Sequence, residues 1–193
     1  MIHVIFRKII KKYTLSFLLI FLCGIILKGP ETHWLQVGVG LLLMHGWVYF
    51  IHRGLHILPN WVLFDYINTH MNFHHQEDKP LPRAIELFFE VLTDFAMNLM
   101  VIPAQYLVGL NIIPVPCILL FTLAYTSIHL FNYSIIGSLF HKRHHQTINK
   151  NFAPDAMDHI IGTNFNEEYE DLVPMCLNVL MSCGILYCFL PGK

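Results

Sequence analysis

The chain has 193 residues, 55% of them hydrophobic and only 13% charged, with a formal net charge of −1 at pH 7. This length suits one domain, and the charged share is far below the value of about a quarter that is usual in soluble domains. The composition therefore favours an integral membrane protein, and the near-zero net charge argues against nucleic-acid binding.

Apolar runs predict the membrane-spanning elements. Thr14–Leu27 follows a basic segment and lacks an A-x-A-like cleavage site, which predicts a retained first anchor. Trp34–Ile51 has about 18 residues, enough to cross the hydrocarbon core at 1.5 Å per residue. Ile85–Leu110 and Cys117–Ile136 are the third and fourth candidate spans, whereas Leu172–Leu190 is compatible with a span, a re-entrant segment or a surface helix.

These runs predict an all-α integral membrane protein, a bundle of about four transmembrane helices with a possible fifth apolar C-terminal segment. A histidine-rich helical region is expected to cap the bundle on its cytoplasmic side. Three segments follow: residues 1–33 with the basic segment and first anchor, residues 34–163 with the histidine-rich domain, and residues 164–193 with an acidic segment and an apolar helix.

The distribution of lysine and arginine predicts the orientation of the spans. If the N-terminus is cytoplasmic and the first four runs span, ten of the twelve basic residues lie on the cytoplasmic side. Lys28 falls outside and Lys193 is undetermined. We therefore expect a multi-pass protein with a cytoplasmic N-terminus.

Nine of the thirteen histidines cluster in four places along the chain. Histidine is the commonest metal ligand, and helical residues three or four apart share a face. Buried polar rings without partners would be costly in so apolar a chain. In the predicted topology all four clusters reach the cytoplasmic face, so we expect one metal centre there, held by His52, His56, His70, His74, His75, His129, His141, His144 and His145.

The adjacent pairs His74-His75 and His144-His145 predict two neighbouring metals. Successive helical residues diverge by about 100°, so one metal rarely takes both rings of a pair. Two metals with four to five ligands each would use eight to ten imidazoles, and His159 is the tenth candidate, with Asp158 beside it to orient the ring. We expect His45 to support the site or to pack in the core rather than to bind metal.

An acidic stripe opens the third run, formed by Glu86, Glu90 and Asp94 at i, i+4 and i+8. Acidic side chains in membrane segments normally face the bundle interior and mark function. Two alternatives stay open at this stage: pairing with Arg83 or Arg53 at the interface, or hydrogen bonding to metal-ligating histidines. Direct ligation is the least favoured.

The order of these motifs resembles the fatty acid hydroxylase/sterol desaturase superfamily of integral-membrane oxygenases. The resemblance runs from Tyr49-Phe-Ile-His52-Arg53-Gly-Leu-His56 through the box ending His74-His75. It continues with His141-Lys-Arg-His144-His145, Asn151-Phe152 and Asp158-His159-Ile-Ile-Gly162-Thr163.

The resemblance implies two metal ions, iron rather than zinc (although a purified sample can carry zinc), and O₂-dependent hydroxylation of a fatty acyl chain or sterol. No catalytic residue separate from the metal ligands is expected. Electrons would come from a separate cytochrome b5, or from a ferredoxin with its reductase, and a eukaryotic source would place the protein in the endoplasmic reticulum membrane. A desaturase, a metal-ion transporter and a catalytically silent lipid-binding relative are the alternatives.

Overall fold

In a computed structural model of the protein, all regular elements of the described residues are helical. These residues are 2–57, 70–75, 81–147, 149–165 and 172–190, so most of the acidic segment after Asn164 lies outside them. The elements are α1 (Ile2–Leu27), α2 (Trp34–Ile57), a first π-helical segment (His70–His74), α3 (Arg83–Leu99), α4 (Val101–Leu107), α5 (Val115–Ser127), a second π-helical segment (Ile128–Ile135), α6 (Leu139–Gln146), α7 (Asp155–Ile161) and α8 (Leu172–Phe189). The all-α prediction is confirmed for this part of the chain.

Three stretches of helix are long and apolar enough to cross a membrane. They are Ile10–Leu27 in α1, Trp34–Ile57 in α2, and Val115–Ile135, which joins α5 to the second π-helical segment. They match the first, second and fourth apolar runs of the sequence. Within α8, Pro174–Phe189 is apolar but shorter.

The third apolar run is not one continuous helix. Its residues divide into α3, of 17 residues, and α4, of 7 residues, with Met100 between them. Pro103 explains the division, because a proline cannot donate to the carbonyl four residues earlier and its ring crowds that carbonyl. Four polar residues also line the buried face of α3, which lowers the hydropathy of the stretch: Glu86, Glu90, Asp94 and Asn98.

The apolar core lies between α1, α2, α5 and α8. Leu27, Met44 and Cys117 are fully buried there, and Val179 of α8 packs into the same cluster. The outward face of the same helices is apolar and exposed, as a lipid-facing surface requires, with Leu15 66% and Leu42 63% exposed. This packing holds the helix ends that carry the histidines in fixed positions.

Candidate metal centre

Nine histidine side chains from four elements meet at one end of the bundle. His52 and His56 lie in the last turns of α2, and His129 lies in the second π-helical segment. π-Helical turns occur frequently at functional sites, and both such segments among the described residues carry histidines of the cluster. The remaining members come from the first π-helical segment and the residue after it, and from α6: His70, His74, His75, His141, His144 and His145.

The first group contains five imidazoles that each place one ring nitrogen within 4.8 Å of the corresponding nitrogens of the others: His52, His56, His70, His75 and His144. Nε2 of His70 is 3.2 Å from Nε2 of His56 and 3.1 Å from Nε2 of His75. Within the described residues, both ring nitrogens of His52 lack a hydrogen-bond partner, and so does Nε2 of His144. Buried nitrogens without partners are costly, and a shared cation would satisfy them.

The second group contains His74, His129 and His141, with ring nitrogens again within 4.8 Å of one another. His145 joins it, because its Nε2 lies 3.0 Å from Nε2 of both His74 and His141. Nε2 of His74 is in turn 2.9 Å from Nε2 of His141. A hydrogen bond connects two nitrogens, whereas these three form a nearly equilateral triangle around a common point.

The spacing of these nitrogens fits a metal ion. With metal–imidazole bonds of about 2.1 Å, two adjacent ligands of a six-coordinate ion lie about 3.0 Å apart. The shortest nitrogen–nitrogen separations in the cluster, from 2.9 to 3.2 Å, match this value. The triangle of His74, His141 and His145 therefore has the dimensions of one face of such a coordination shell.

The adjacent histidine pairs divide unequally between the groups: His144 and His145 fall in different groups, whereas His74 and His75 also form a third, overlapping group with His145. His75 and His144 belong to the first group, whereas His74 belongs to the second, which His145 contacts. The rings of His75 and His145 stack at a centroid distance of 4.3 Å, where the two groups meet. The separation of His144 from His145 fits the pair spacing expected for two neighbouring metals, whereas His74 and His75 can also face one ion together with His145. The number of ions stays a prediction.

Two carboxylates of α3 fix the orientation of rings in the second group. Nδ1 of His74 lies 2.7 Å from Oε1 of Glu90, and Nδ1 of His129 lies 2.6 Å from Oδ2 of Asp94. Each Nδ1–H donates to its carboxylate, which leaves the Nε2 lone pair for a metal. The acidic stripe thus supports the histidines, as one of the sequence alternatives proposed.

Glu86, the third member of the stripe, pairs with Arg83, which is the other alternative that the sequence left open. Its Oε2 accepts a hydrogen bond from Arg83 at 3.2 Å. Arg83 also donates to the carbonyl of Ser134 at 2.8 Å, so it links α3 to the end of the second π-helical segment. One stripe therefore serves two purposes.

His144 is oriented by the backbone. Its Nδ1–H donates to the carbonyl of Lys150 at 2.6 Å, and its ring is fully buried. Burial lowers the pKa of His144 to about 3, and burial lowers the pKa of His74 and of His141 well below the ordinary value. These rings are therefore neutral at pH 7, the form in which imidazole binds a metal.

Phe152 and Tyr133 are contacts of the site whose roles the sequence did not reveal. The Phe152 ring packs edge-on against His52, His56 and His144, with centroid distances from 5.3 to 5.9 Å. Tyr133 stacks on His141 at 4.6 Å with the two ring planes only 9° apart. The i+4 spacing from His129 is the one signal that could have drawn attention to Tyr133.

A hydrogen-bond network holds the segment that carries Phe152. Oδ1 of Asp158 accepts from the backbone N–H of Phe152 at 3.0 Å and from the Thr163 hydroxyl at 2.7 Å, and Oδ2 accepts from Ala153 N–H at 2.7 Å. The Thr163 hydroxyl also lies 2.8 Å from the Tyr49 hydroxyl of α2. The network fixes the segment against the helix that supplies His52 and His56.

The structure places His159 outside the histidine groups. Its Nε2 lies 3.4 Å from Oδ1 of Asp155, on the same helix. The expected partnership with Asp158 differs too, because Asp158 is hydrogen-bonded to Phe152, Ala153 and Thr163 instead. We therefore leave His159 out of the ligand set proposed below.

His45 and His33 also lie apart from the groups. Nδ1 of His45 is 2.8 Å from the carbonyl of Leu41, and its ring packs between Phe17 and Phe121. This core placement is one of the two that the sequence favoured over metal ligation. His33 accepts a hydrogen bond from Leu35 N–H at the start of α2.

Comparison with known proteins agrees with the geometry. The model of the fatty acid hydroxylase family matches residues 37–163, about two thirds of the chain and a range that contains all nine clustered histidines. The chain belongs to the fatty acid hydroxylase family. No curated protein and no solved structure matches the chain significantly. This family consists of oxygenase- and desaturase-type oxidoreductases, so membership supports a lipid hydroxylase or desaturase type of function.

Proposed function

We propose that this protein is a membrane-bound di-iron oxygenase that hydroxylates a lipid with O₂ and externally supplied electrons. The observation that carries the proposal is the convergence of nine imidazoles into overlapping groups inside the family-matching region. The ligand set is His52, His56, His70, His75 and His144 for one ion, and His74, His129, His141 and His145 for the other.

The number of ligands favours iron over zinc. Zinc in proteins is almost always four-coordinate and tetrahedral, whereas the first group offers five nitrogens within 4.8 Å of one another. Imidazole also suits iron, copper and nickel, and the oxygenase and desaturase chemistry of the family supports iron among these. Bound iron would supply the activation of O₂ that insertion into an unactivated C–H bond requires.

In this proposal the side chains around the site orient the ligating rings and shield the site from water. Glu90, Asp94 and the carbonyl of Lys150 accept hydrogen bonds from Nδ1–H groups, which leaves the Nε2 atoms of His74, His129 and His144 as the nitrogens that would hold the ions. Phe152 and Tyr133 cover rings of the two groups with hydrocarbon and limit the access of water. Exclusion of water protects an oxidising centre from side reactions.

Membrane placement supports a lipid substrate delivered from the bilayer. His52 and His56 lie near one end of the span Trp34–Ile57, and His129 lies near the matching end of Val115–Ile135. The bias of lysine and arginine favours the cytoplasm for this side of the membrane. There a separate cytochrome b5, or a ferredoxin with its reductase, would deliver electrons; in a eukaryote the membrane would be that of the endoplasmic reticulum.

The test is anaerobic purification with iron, followed by determination of bound metal and of oxygen incorporation into lipid. We expect two iron ions per chain. With NADH, cytochrome b5, its reductase and ¹⁸O₂, a membrane lipid should gain one labelled oxygen, and metal-free protein should give none. Binding of fewer than two ions contradicts the di-iron assignment, and a new double bond without labelled oxygen shows a desaturase.

The same purified protein also tests the alternative that the chain is a metal-ion transporter. Transport requires ligands along the path through the bilayer, whereas the clustered histidines lie toward the ends of the spans. Reconstituted vesicles should therefore show no uptake of Fe²⁺ or Zn²⁺ above that of protein-free vesicles. Uptake without lipid oxidation would overturn the oxygenase proposal.

A further inference from the structure

A cavity of about 70 Å³ adjoins the histidine cluster, between α1, α5, α7 and α8. Tyr133 lines the cavity, and its ring stacks on that of His141, a member of the second group. Ala153, also in its wall, directly follows Phe152, whose ring contacts His52 of the first group. A molecule in the cavity would thus lie beside both groups.

Most of the cavity wall is hydrocarbon. Phe17 and Ile20 of α1, Phe121 of α5 and Val179 of α8 line it. Such a wall favours an apolar ligand. The α1 and α8 sides of this wall lie outside residues 37–163, the range that matches the family model, whereas the sides formed by α5 and α7 lie inside it.

The size of the cavity selects the shape of the ligand. An apolar cavity of about 150 Å³ is large enough for benzene, and this one has about half that volume. It accommodates a short stretch of a linear chain. The fused rings of a sterol do not fit.

One end of the cavity is polar and acidic. Asp155, 1% exposed, accepts a hydrogen bond from the hydroxyl of Tyr13, and its other oxygen lies 3.4 Å from Nε2 of His159. An ionised carboxylate only accepts hydrogen bonds. This end therefore suits a hydrogen-bond donor, and a second anion beside a buried carboxylate is unfavourable.

We propose that the cavity binds the polar end of a linear-chain lipid alcohol or amide, with Asp155 as hydrogen-bond acceptor, and discriminates against fatty-acid carboxylates, phosphates and sterols. This inference rests on the proposed function, because it names the substrate class of the same site. It also makes Tyr13 and Asp155 residues that determine substrate specificity, although they lie outside the proposed metal-ligand set.

The test uses photocrosslinking to the whole protein in detergent, so it measures binding and not turnover. Three probes carry a diazirine: hexadecanol, hexadecanoic acid and cholesterol. We expect the alcohol probe to label peptides containing Tyr13–Ile20 and Met175–Val179, and the acid and sterol probes to label them at least about tenfold less. Equal labelling by the acid or the sterol, or no labelling by the alcohol, overturns the proposal.

Two variants locate the selectivity. Asp155→Asn keeps an acceptor oxygen and removes the charge, so the ratio of acid to alcohol labelling should rise about tenfold. Ala124→Leu fills the cavity and should reduce alcohol labelling at both peptides, whereas Ala104→Leu, on α4 outside this cavity, should not. Unchanged labelling in both Asp155→Asn and Ala124→Leu overturns the proposal.

The labelling pattern of the unaltered protein remains decisive if a variant fails to fold. Failure of the proposed function is recognised separately, by the absence of two bound metals or of oxygen transfer. A protein that prefers the alcohol probe but oxidises no lipid would retain the binding site and lose the oxygenase assignment.

Discussion

Glu90 holds His74 across two elements: its Oε1 accepts a hydrogen bond from Nδ1 of His74 at 2.7 Å. Its Oε2 accepts a second one from the Ser134 hydroxyl at 2.5 Å. The carboxylate is therefore fixed on both sides and sets the direction of the His74 ring. A carboxylate in this position fixes the ring tautomer and raises the basicity of the ligating nitrogen.

We predict that Glu90→Gln weakens metal binding in the second group. The amide is neutral and offers one acceptor oxygen in place of two, so the affinity for metal should fall about 10- to 100-fold, the usual effect of removing such a partner. Competition with a chelator, followed by determination of bound iron, measures the change.

The matched control for that experiment is Glu31→Gln. Glu31 is an exposed residue of the segment that joins α1 to α2, so the same chemical change there should leave metal affinity unaltered. Equal affinity in the Glu90 variant and the control would mean that the hydrogen bond to His74 does not support ligation.

The contrast between His144 and His159 tests the ligand set. His144 is fully buried among the first group, whereas His159 lies beside Asp155. His144→Ala should lower the iron content from two ions per chain toward one or fewer and abolish lipid oxidation. His159→Ala should retain two ions. Loss of one ion from the His159 variant would restore the tenth ligand that the sequence predicts.

Asp158 stabilises the segment that carries Phe152, and its hydrogen bonds predict how much the substitution Asp158→Asn destabilises the fold. Its two oxygens together accept three hydrogen bonds, two of them from backbone N–H groups. In Asp158→Asn one of these oxygens becomes an NH₂ group that faces a donor. The buried mismatch should cost about 1–3 kcal/mol.

Thermal unfolding in detergent, followed by circular dichroism, measures that loss. The exposed substitution Glu31→Gln again provides the control, with an unchanged midpoint. Thr163→Val should also lower the midpoint, because it removes the hydroxyl between Tyr49 and Asp158. Midpoints equal to that of the native protein in both variants would show that the network does not stabilise the fold.

The sequence predicted what depends on short-range spacing. The hydropathy runs located three apolar helices, and i, i+4 spacing placed His52 beside His56. Adjacent histidines also predicted a division between two sites, because neighbouring residues on a helix point in different directions. His144 and His145 fall in different groups, whereas His74 and His75 also share one, so the division between two sites stays a prediction.

The sequence could not predict what depends on how separate elements pack. Asp155 and Tyr13 are 142 positions apart and meet only because α1 packs against α7. His159 resembled a ligand by type and neighbourhood, yet the short helix α7 turns it toward Asp155. The break between α3 and α4 was not predicted either, because the run Ile85–Leu110 is long and mostly apolar, and Pro103 is a single residue within it.

Proton release on metal binding tests the protonation state of the site. Burial lowers the pKa of His144 to about 3 and the pKa values of His70, His74, His75 and His141 below their ordinary range. Since each folded-state pKa is depressed, these rings stay neutral as the pH falls below 6.5. Metal therefore displaces no proton from them at pH 6.

The expected number of released protons follows from the ordinary pKa of histidine, about 6.5. At pH 6 nine ordinary imidazoles would be about three-quarters protonated and would release about seven protons on binding two metals. With five rings already neutral, at most about three are released. Anaerobic calorimetry with Fe²⁺ in two buffers of different ionisation enthalpy gives this number directly. Release near seven would show that the metal-free site is open to water and protonated, and that burial does not prepare these rings for metal.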